Sequence, residues 1–231
     1  SVNNTSTPTE LVSEVLLSNT CAVATDVVTQ GTCGVGYFTN NGGEFPFAEG
    51  VVIRSGNVLL SGGAYATNND SSGCSQTGDT DLNGIVTSLG QSGTVTDVTS
   101  VKFNFTAISN LLSFNFLFAS NEYGSYQCNF SDVFGFILTD IETGAKQNIA
   151  LVPGTSLPIS TTTIRNNAHN PACNSVNPQF FDVYNVNNPL SMANFKGQTV
   201  PMTAFASLIP GRQYSLKLAV GDYQDSSYDS A

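Results

Sequence analysis

VKFNFT (residues 101–106) and LSFNFLF (residues 112–118) carry the clearest period-two signal in the chain. Val101, Phe103 and Phe105 alternate with Lys102, Asn104 and Thr106, and Leu112, Phe114, Phe116 and Phe118 fall on one face of the second run. Successive side chains of an extended chain point to opposite faces, so a period of two marks strands with one buried face. Working outward, Val133–Thr139, Asn148–Val152, Phe180–Val186 and Tyr214–Val220 carry further strand signals, the last setting Tyr214, Leu216, Leu218 and Val220 opposite Lys217. Short apolar runs broken by Gly, Asn, Ser and Pro clusters about every 8–12 residues have the spacing of sandwiches and barrels. Helical pattern is confined to Ile85–Leu89 and the stretch near Leu11, both shorter than the roughly 12 residues at which helices begin to stand alone. The expected fold is all-β, an antiparallel, jelly-roll-like β-sandwich with long loops and little helix.

At 231 residues the chain fits one large β domain. Residues 1–10 are polar and contain Pro8, and read as a flexible leader to a single domain over 11–231. Net charge is −10 with seven Lys and Arg, which removes the phosphate neutralisation that nucleic-acid binding needs and disfavours anionic membrane surfaces. No run of about 18 apolar residues exists to insert into a bilayer. Acids with so few bases to pair with face water, cations or donors on another chain, and calcium is a natural counter-ion.

Five cysteines, Cys21, Cys33, Cys74, Cys128 and Cys173, form no C-x-x-C pair and have no histidine set beside them, so disulfides in an oxidising, extracellular compartment are expected. Cys21 and Cys33, close in sequence, are assigned to each other, and Cys128 to Cys173. Cys74 is then either a free thiol or the partner of a cysteine outside the chain.

Two acidic stretches suggest metal sites. Asp79, Asp81 and Asn83, followed by Gly84, reproduce the first half of a calcium loop, although Gly90 stands where a bidentate Glu belongs; the same residues also suit an Asx-turn or a helix N-cap. Asp222, Asp225 and Asp229 leave one strand end together, and like charges so close call for a cation or a proton, unless the loop is open and solvated. Glu122 and Asp132 complete that site if folding brings them near. Tyr123, Tyr126, Tyr223 and Tyr228, mixed with acids and amides, suit stacking on a glycan or contact with a protein, and equally suit covering the ends of the core. Catalysis is disfavoured: His169 is the one histidine, and no serine sits in a G-x-S-x-G elbow. A secreted hydrolase acting through Glu122 or Asp132 is the weakest reading.

The runs Phe118–Tyr123, Asp132–Phe136 and Asn148–Thr155, followed by Leu218–Asp222 and Tyr228–Ala231, resemble the core and C-terminal motifs of choice-of-anchor L domains, and Gly50–Gly56 is similar to the family's early strand and turn. The resemblance spans most of residues 45–231. It implies a non-catalytic module of a large secreted protein, chiefly of Bacteroidota, with adhesive or structural roles and export by the type IX route. Family members usually continue into another apolar strand, so the resemblance also implies either a fragment or a strand supplied by another subunit. That second case makes a surface filament or layer, assembled from copies of the chain, the alternative to a binding module.

Overall fold

The computed structural model describes residues 1–18, 20–75, 77–224 and 226–231, with Asn69 described by its backbone alone. Among the described residues thirteen strands follow in chain order: β1 (Val2–Asn3), β2 (Ala24–Gln30), β3 (Val35–Thr39), β4 (Glu49–Ile53), β5 (Val95–Thr106), β6 (Leu111–Phe116) and β7 (Ala119–Ser120), then β8 (Val133–Asp140), β9 (Lys146–Asn148), β10 (Phe181–Tyr184), β11 (Gly197–Thr199), β12 (Met202–Ser207) and β13 (Gln213–Tyr223). All named pairings are antiparallel. The all-β sandwich expected from the alternation is the fold.

One layer is a five-stranded sheet in the order β2-β5-β13-β8-β9. Its centre is β13, where Leu216 lies between Phe103 and Leu138, and Leu218 between Val101 and Phe136. The core-facing set Tyr214, Leu216, Leu218 and Val220 is buried, as the period of two requires. The opposite face is covered by the helix Thr80–Ser88, whose Leu82, Ile85 and Val86 pack on Val98, Ile137 and Ala219. Burial on both faces explains why Val133–Leu138 reads as a continuous apolar run. This helix begins earlier than the expected Ile85, because Asp79 caps it by accepting from the Asp81 and Leu82 amides.

The second layer is split. One part is the sheet β1-β3-β4; the other is the pair β12-β6, continued by β10-β11-β7. Between the layers sits an aromatic core in which Phe134 and Phe136 lie 4.9 Å apart and Phe116 and Phe136 5.1 Å apart. In β12, Met202, Ala204 and Ala206 face this core while Thr203, Phe205 and Ser207 face out.

Three expectations are corrected. Residues 1–10 are not a free leader: Val2 and Asn3 pair with Phe38 and Tyr37, and Thr7 caps a short helical turn with Glu10 in a capping box. The strand expected over Asn148–Val152 lies earlier, since β9 covers Lys146–Asn148 and Leu151 makes an isolated bridge to Pro158. Cys33 is bonded to Cys74, not to Cys21, which is free and exposed. The seven extended residues of β2 lie between Cys21 and Cys33 and alone span about 20 Å, whereas a disulfide needs its Cα atoms within about 7 Å. Cys128 is bonded to Cys173, with Cα atoms 5.5 Å apart.

Candidate functional site

At one end of the central strands the pairing of β13 with β5 slips between Val220 and Asp222. On β5 this bulge holds Asp97 at a left-handed φ of 46°, a conformation that Asp tolerates better than most residues. The extra residue lies on β5 and turns Asp97 inward, beside Asp222, which keeps the core-facing parity of Leu218 and Val220. Beside them Asp132 precedes β8, Glu122 follows β7, and Asp229 returns from the last loop. Asp97, Asp132, Asp222 and Asp229 are each 1% exposed and Glu122 is 4% exposed.

Backbone and side chains tie these groups together. The Asp132 amide donates to Glu122 Oε2 at 2.7 Å, and the Tyr223 amide donates to Asp132 Oδ1 at 3.4 Å. Arg54, fully buried at the end of β4, donates from Nε to Asp229 Oδ2 at 2.8 Å and lies over the Phe195 ring. Ser72 adds its amide and hydroxyl to the same carboxylate. Asp222 is different. Neither of its carboxyl oxygens has a hydrogen-bond partner among the described residues, and Asp132 Oδ2 and the Ser230 hydroxyl are in the same position.

The electrostatics follow from that packing. Burial, reinforced by the neighbouring carboxylates, pushes Asp222 up to about 8, against an opposite pull from the Ser55 hydroxyl that falls short of hydrogen-bond geometry. Asp132 is raised well above the carboxylate range by burial first and by Glu122 and Asp222 next. Burial also raises Asp97. The cluster therefore holds protons at neutral pH unless another cation replaces them. Among the described residues no three His, Cys, Asp or Glu side chains already converge as a metal-ligand set.

Of the acids singled out in the sequence, the fold thus gathers Glu122, Asp132, Asp222 and Asp229, and Asp225 lies outside the described residues. Asp79, Asp81 and Asn83 form a separate group at the helix N-terminus, with their oxygens engaged by protein donors. Asp79 bonds Lys217 at 2.7 Å, Asp81 bonds Lys146 at 2.7 Å and Lys217 at 2.5 Å, and Asn83 Oδ1 accepts from the Val95 amide. Burial works to raise Asp81, but the bonds from Lys146 and Lys217 outweigh it and hold its carboxyl below the usual range.

The tyrosines divide as well. Tyr123 and Tyr223 are core residues, 0% and 4% exposed, so the ligand role considered for them is corrected to packing. Tyr126 and Tyr228 are half-buried neighbours with ring centroids 4.5 Å apart, and the Lys196 ammonium lies 4.3 Å from the Tyr228 ring centre. Lys196 also pairs with Asp70, which accepts from the Tyr65 hydroxyl. His169 stacks on Tyr184 at 4.5 Å, an aromatic contact and not a triad arrangement. Sequence reasoning missed Arg54, Asp97 and Lys196. An acid interrupting the apolar stretch of β5, and an arginine closing the apolar strand β4, were the available signals.

The model of the family described as Choice-of-anchor L domain matches residues 1–231, the whole chain. No curated protein and no solved structure matches.

Proposed function

The chain belongs to the choice-of-anchor L domain family, and from that premise we propose a non-catalytic extracellular surface module that binds a glycan or protein through its loop end. Two disulfides, Cys33–Cys74 and Cys128–Cys173, fit an extracellular setting. The observation that carries the binding reading is the half-buried Tyr126–Tyr228 pair with Lys196 against it, which offers ring edges, hydroxyls and a cation at one place. Sugars and protein surfaces are both recognised by that combination. The hydrolase alternative is weakened by burial, because Glu122 and Asp132 lie under the surface, where a substrate does not reach them. A glycan array probed with the wild type and with Tyr228→Ala tests the reading. Signals lost in the variant support it, whereas signals indifferent to Tyr228 and Lys196 remove this face from consideration.

Calcium enters the proposal as the ion that replaces the protons of the buried acid cluster at neutral pH. Its support is Asp222, a buried carboxylate whose two oxygens lack partners. A ligand bound to the folded state alone stabilises it by RT ln(1 + [L]/Kd) and so raises the melting temperature. Calcium is expected to raise the midpoint relative to EGTA at about pH 8, where Asp222 is giving up its proton. The effect should shrink at about pH 5, where protons occupy the site, and vanish in Asp222→Asn. Equal midpoints in calcium and EGTA at both pH values would remove calcium from the proposal and leave protons as the cluster's counter-ions.

A further inference from the structure

The helix Thr80–Ser88 packs on the outer face of the five-stranded sheet around Val98, Ile137 and Ala219. Toward the Ser215 end of β13 the same face is open, as a groove of about 370 Å³. Register lays out its floor. Ser215 lies between Asn104 of β5 and Thr139 of β8, with Lys146 of β9 beyond Thr139; in the next row Lys217 lies between Lys102 and Ile137. Opposed residues of antiparallel strands share a face, so these side chains stand together on the helix side of the sheet. Asp81 of the helix, and Asp140 and Ile141 where β8 ends, complete the wall.

Three of the chain's four lysines meet in this groove. Two are neutralised, Lys217 by Asp79 and Asp81, and Lys146 by Asp81. Lys102, exposed and directly opposite Lys217, has neither an ion pair nor a hydrogen bond among the described residues. Like charges facing each other across a strand pair repel, and one carboxylate set beside Lys102 relieves that repulsion. Next to it, in register with Asn104, the Ser215 side chain is 5% exposed and its hydroxyl is buried with no hydrogen-bond partner among the described residues. A buried hydroxyl left so is a group for a ligand or a water to satisfy.

The rest of the lining narrows the ligand. The carboxylates of Asp81 and Asp140 repel a phosphate or a sulfated chain, yet they accept hydrogen bonds from hydroxyls. Ile137 and Ile141 offer aliphatic surface to the face of a ring. A single carboxylate, several hydroxyls and a ring together describe a sugar acid, and the volume lies within the range of small-molecule sites. We infer that the groove binds a uronic acid residue of an acidic glycan, with its carboxylate on Lys102 and a ring hydroxyl on Ser215. Seven residues of β13, about 23 Å of strand, separate Ser215 from Asp222 at the other end. The inference thus goes beyond the Tyr126–Tyr228 face and does not depend on it.

The test titrates glucuronate into the protein at low ionic strength and follows the backbone amides by NMR, with glucose, acetate and inorganic phosphate as comparison ligands. Glucuronate is expected to give saturable shifts centred on Asn104 and Ser215. Glucose lacks the carboxylate and acetate lacks the ring, so each should bind at least about tenfold more weakly. Lys102→Gln should weaken glucuronate at least about tenfold, Lys102→Arg should retain it, and Ser215→Ala should weaken it about three- to tenfold. Lys102 is exposed and unpaired, so its variants keep the fold, and Tyr228→Ala should leave the titration unchanged. Acetate or phosphate bound as tightly as glucuronate makes the groove a plain counter-ion site and overturns the inference. So does glucuronate binding indifferent to Lys102→Gln, or no saturation up to about 50 mM. Binding lost in Tyr228→Ala and kept in Lys102→Gln moves the sugar to the loop end instead, which supports that face and removes this one.

Discussion

Two groups of acids, one at the N-terminus of the helix Thr80–Ser88 and one at the bulged end of β13, sit in the same protein in opposite states. At the helix, Asp79 and Asp81 share Lys217, and Asp81 also takes Lys146, so its carboxyl is held below its usual range. At the bulge, Asp222 and Asp132 face other carboxylates in a dry environment and are raised. Density of acids in the sequence is similar; what differs is which face of the central sheet delivers a lysine. Lys217 points to the helix side of β13, while Asp222, five residues on and so of opposite parity, shares the face of Leu218 and Val220 and lies toward Asp97. Parity along one strand thus decides which acids are salt-bridged and which must hold protons or a cation.

The largest expected effect tests the ion pair at the bulged end, Asp229 with Arg54. Arg54 is fully buried, and deleting one member of a buried ion pair leaves an uncompensated charge, at a cost of about 3–5 kcal/mol. Arg54→Ala is expected to lower the melting temperature by about 10 °C. Chemical denaturation gives the free energy directly, and a loss under about 1 kcal/mol would place Arg54 with the surface pairs and break the distinction.

The next effect is the pH dependence, and its sign separates the two groups. Asp222 has a folded pKa near 8 against an ordinary 3.8, so the folded protein keeps a proton that the unfolded chain releases between those values. Its contribution is full below the unfolded value and is lost as pH rises through 8. Asp81 acts the other way, contributing above the ordinary value and losing that contribution as pH falls through its lowered one. In EGTA, acidification from about pH 9 to 6 should therefore stabilise the protein by about 2 kcal/mol, and Asp222→Asn should flatten the slope. A slope kept by Asp222→Asn but lost in Asp132→Asn moves the proton to Asp132. A slope kept by both variants sinks the contrast.

The strands were legible wherever alternation meets a single buried face, as in β5, β6 and β13, because one residue's environment repeats every second position. The acid cluster was legible in part. Glu122, Asp132, Asp222 and Asp229 leave strand ends, where a carboxylate stands out, whereas Asp97 is reached through a bulge that breaks the alternation used to read β5. The Asp79–Asn83 run misled because a helix N-cap and the first half of a calcium loop both put oxygens at alternating positions before a turn. Cys33 was mispaired because nearness in sequence says little once a strand lies between two cysteines. Tyr123 and Tyr223 differ from Tyr126 and Tyr228 only in tertiary burial.

The smallest expected effect comes from the exposed limb of the helix-side network. The Lys146 side chain is 53% exposed, and its bond to Asp81 is solvated, so Coulomb attraction there is weakened by water and offset by the entropy of fixing a long side chain. Lys146→Ala is expected to change stability by less than about 1 kcal/mol, with the difference reduced further in high salt. Lys217, which is 13% exposed and bridges Asp79 and Asp81, is the sterner case, since its removal leaves two part-buried carboxylates facing each other. Lys217→Met should therefore destabilise more than Lys146→Ala and should raise the Asp81 pKa, which can be followed by carboxyl-carbon NMR. If the two lysines prove equal, the helix-side acids owe their charge to solvent and not to Lys217, and the state of an acid in this protein is set by exposure alone.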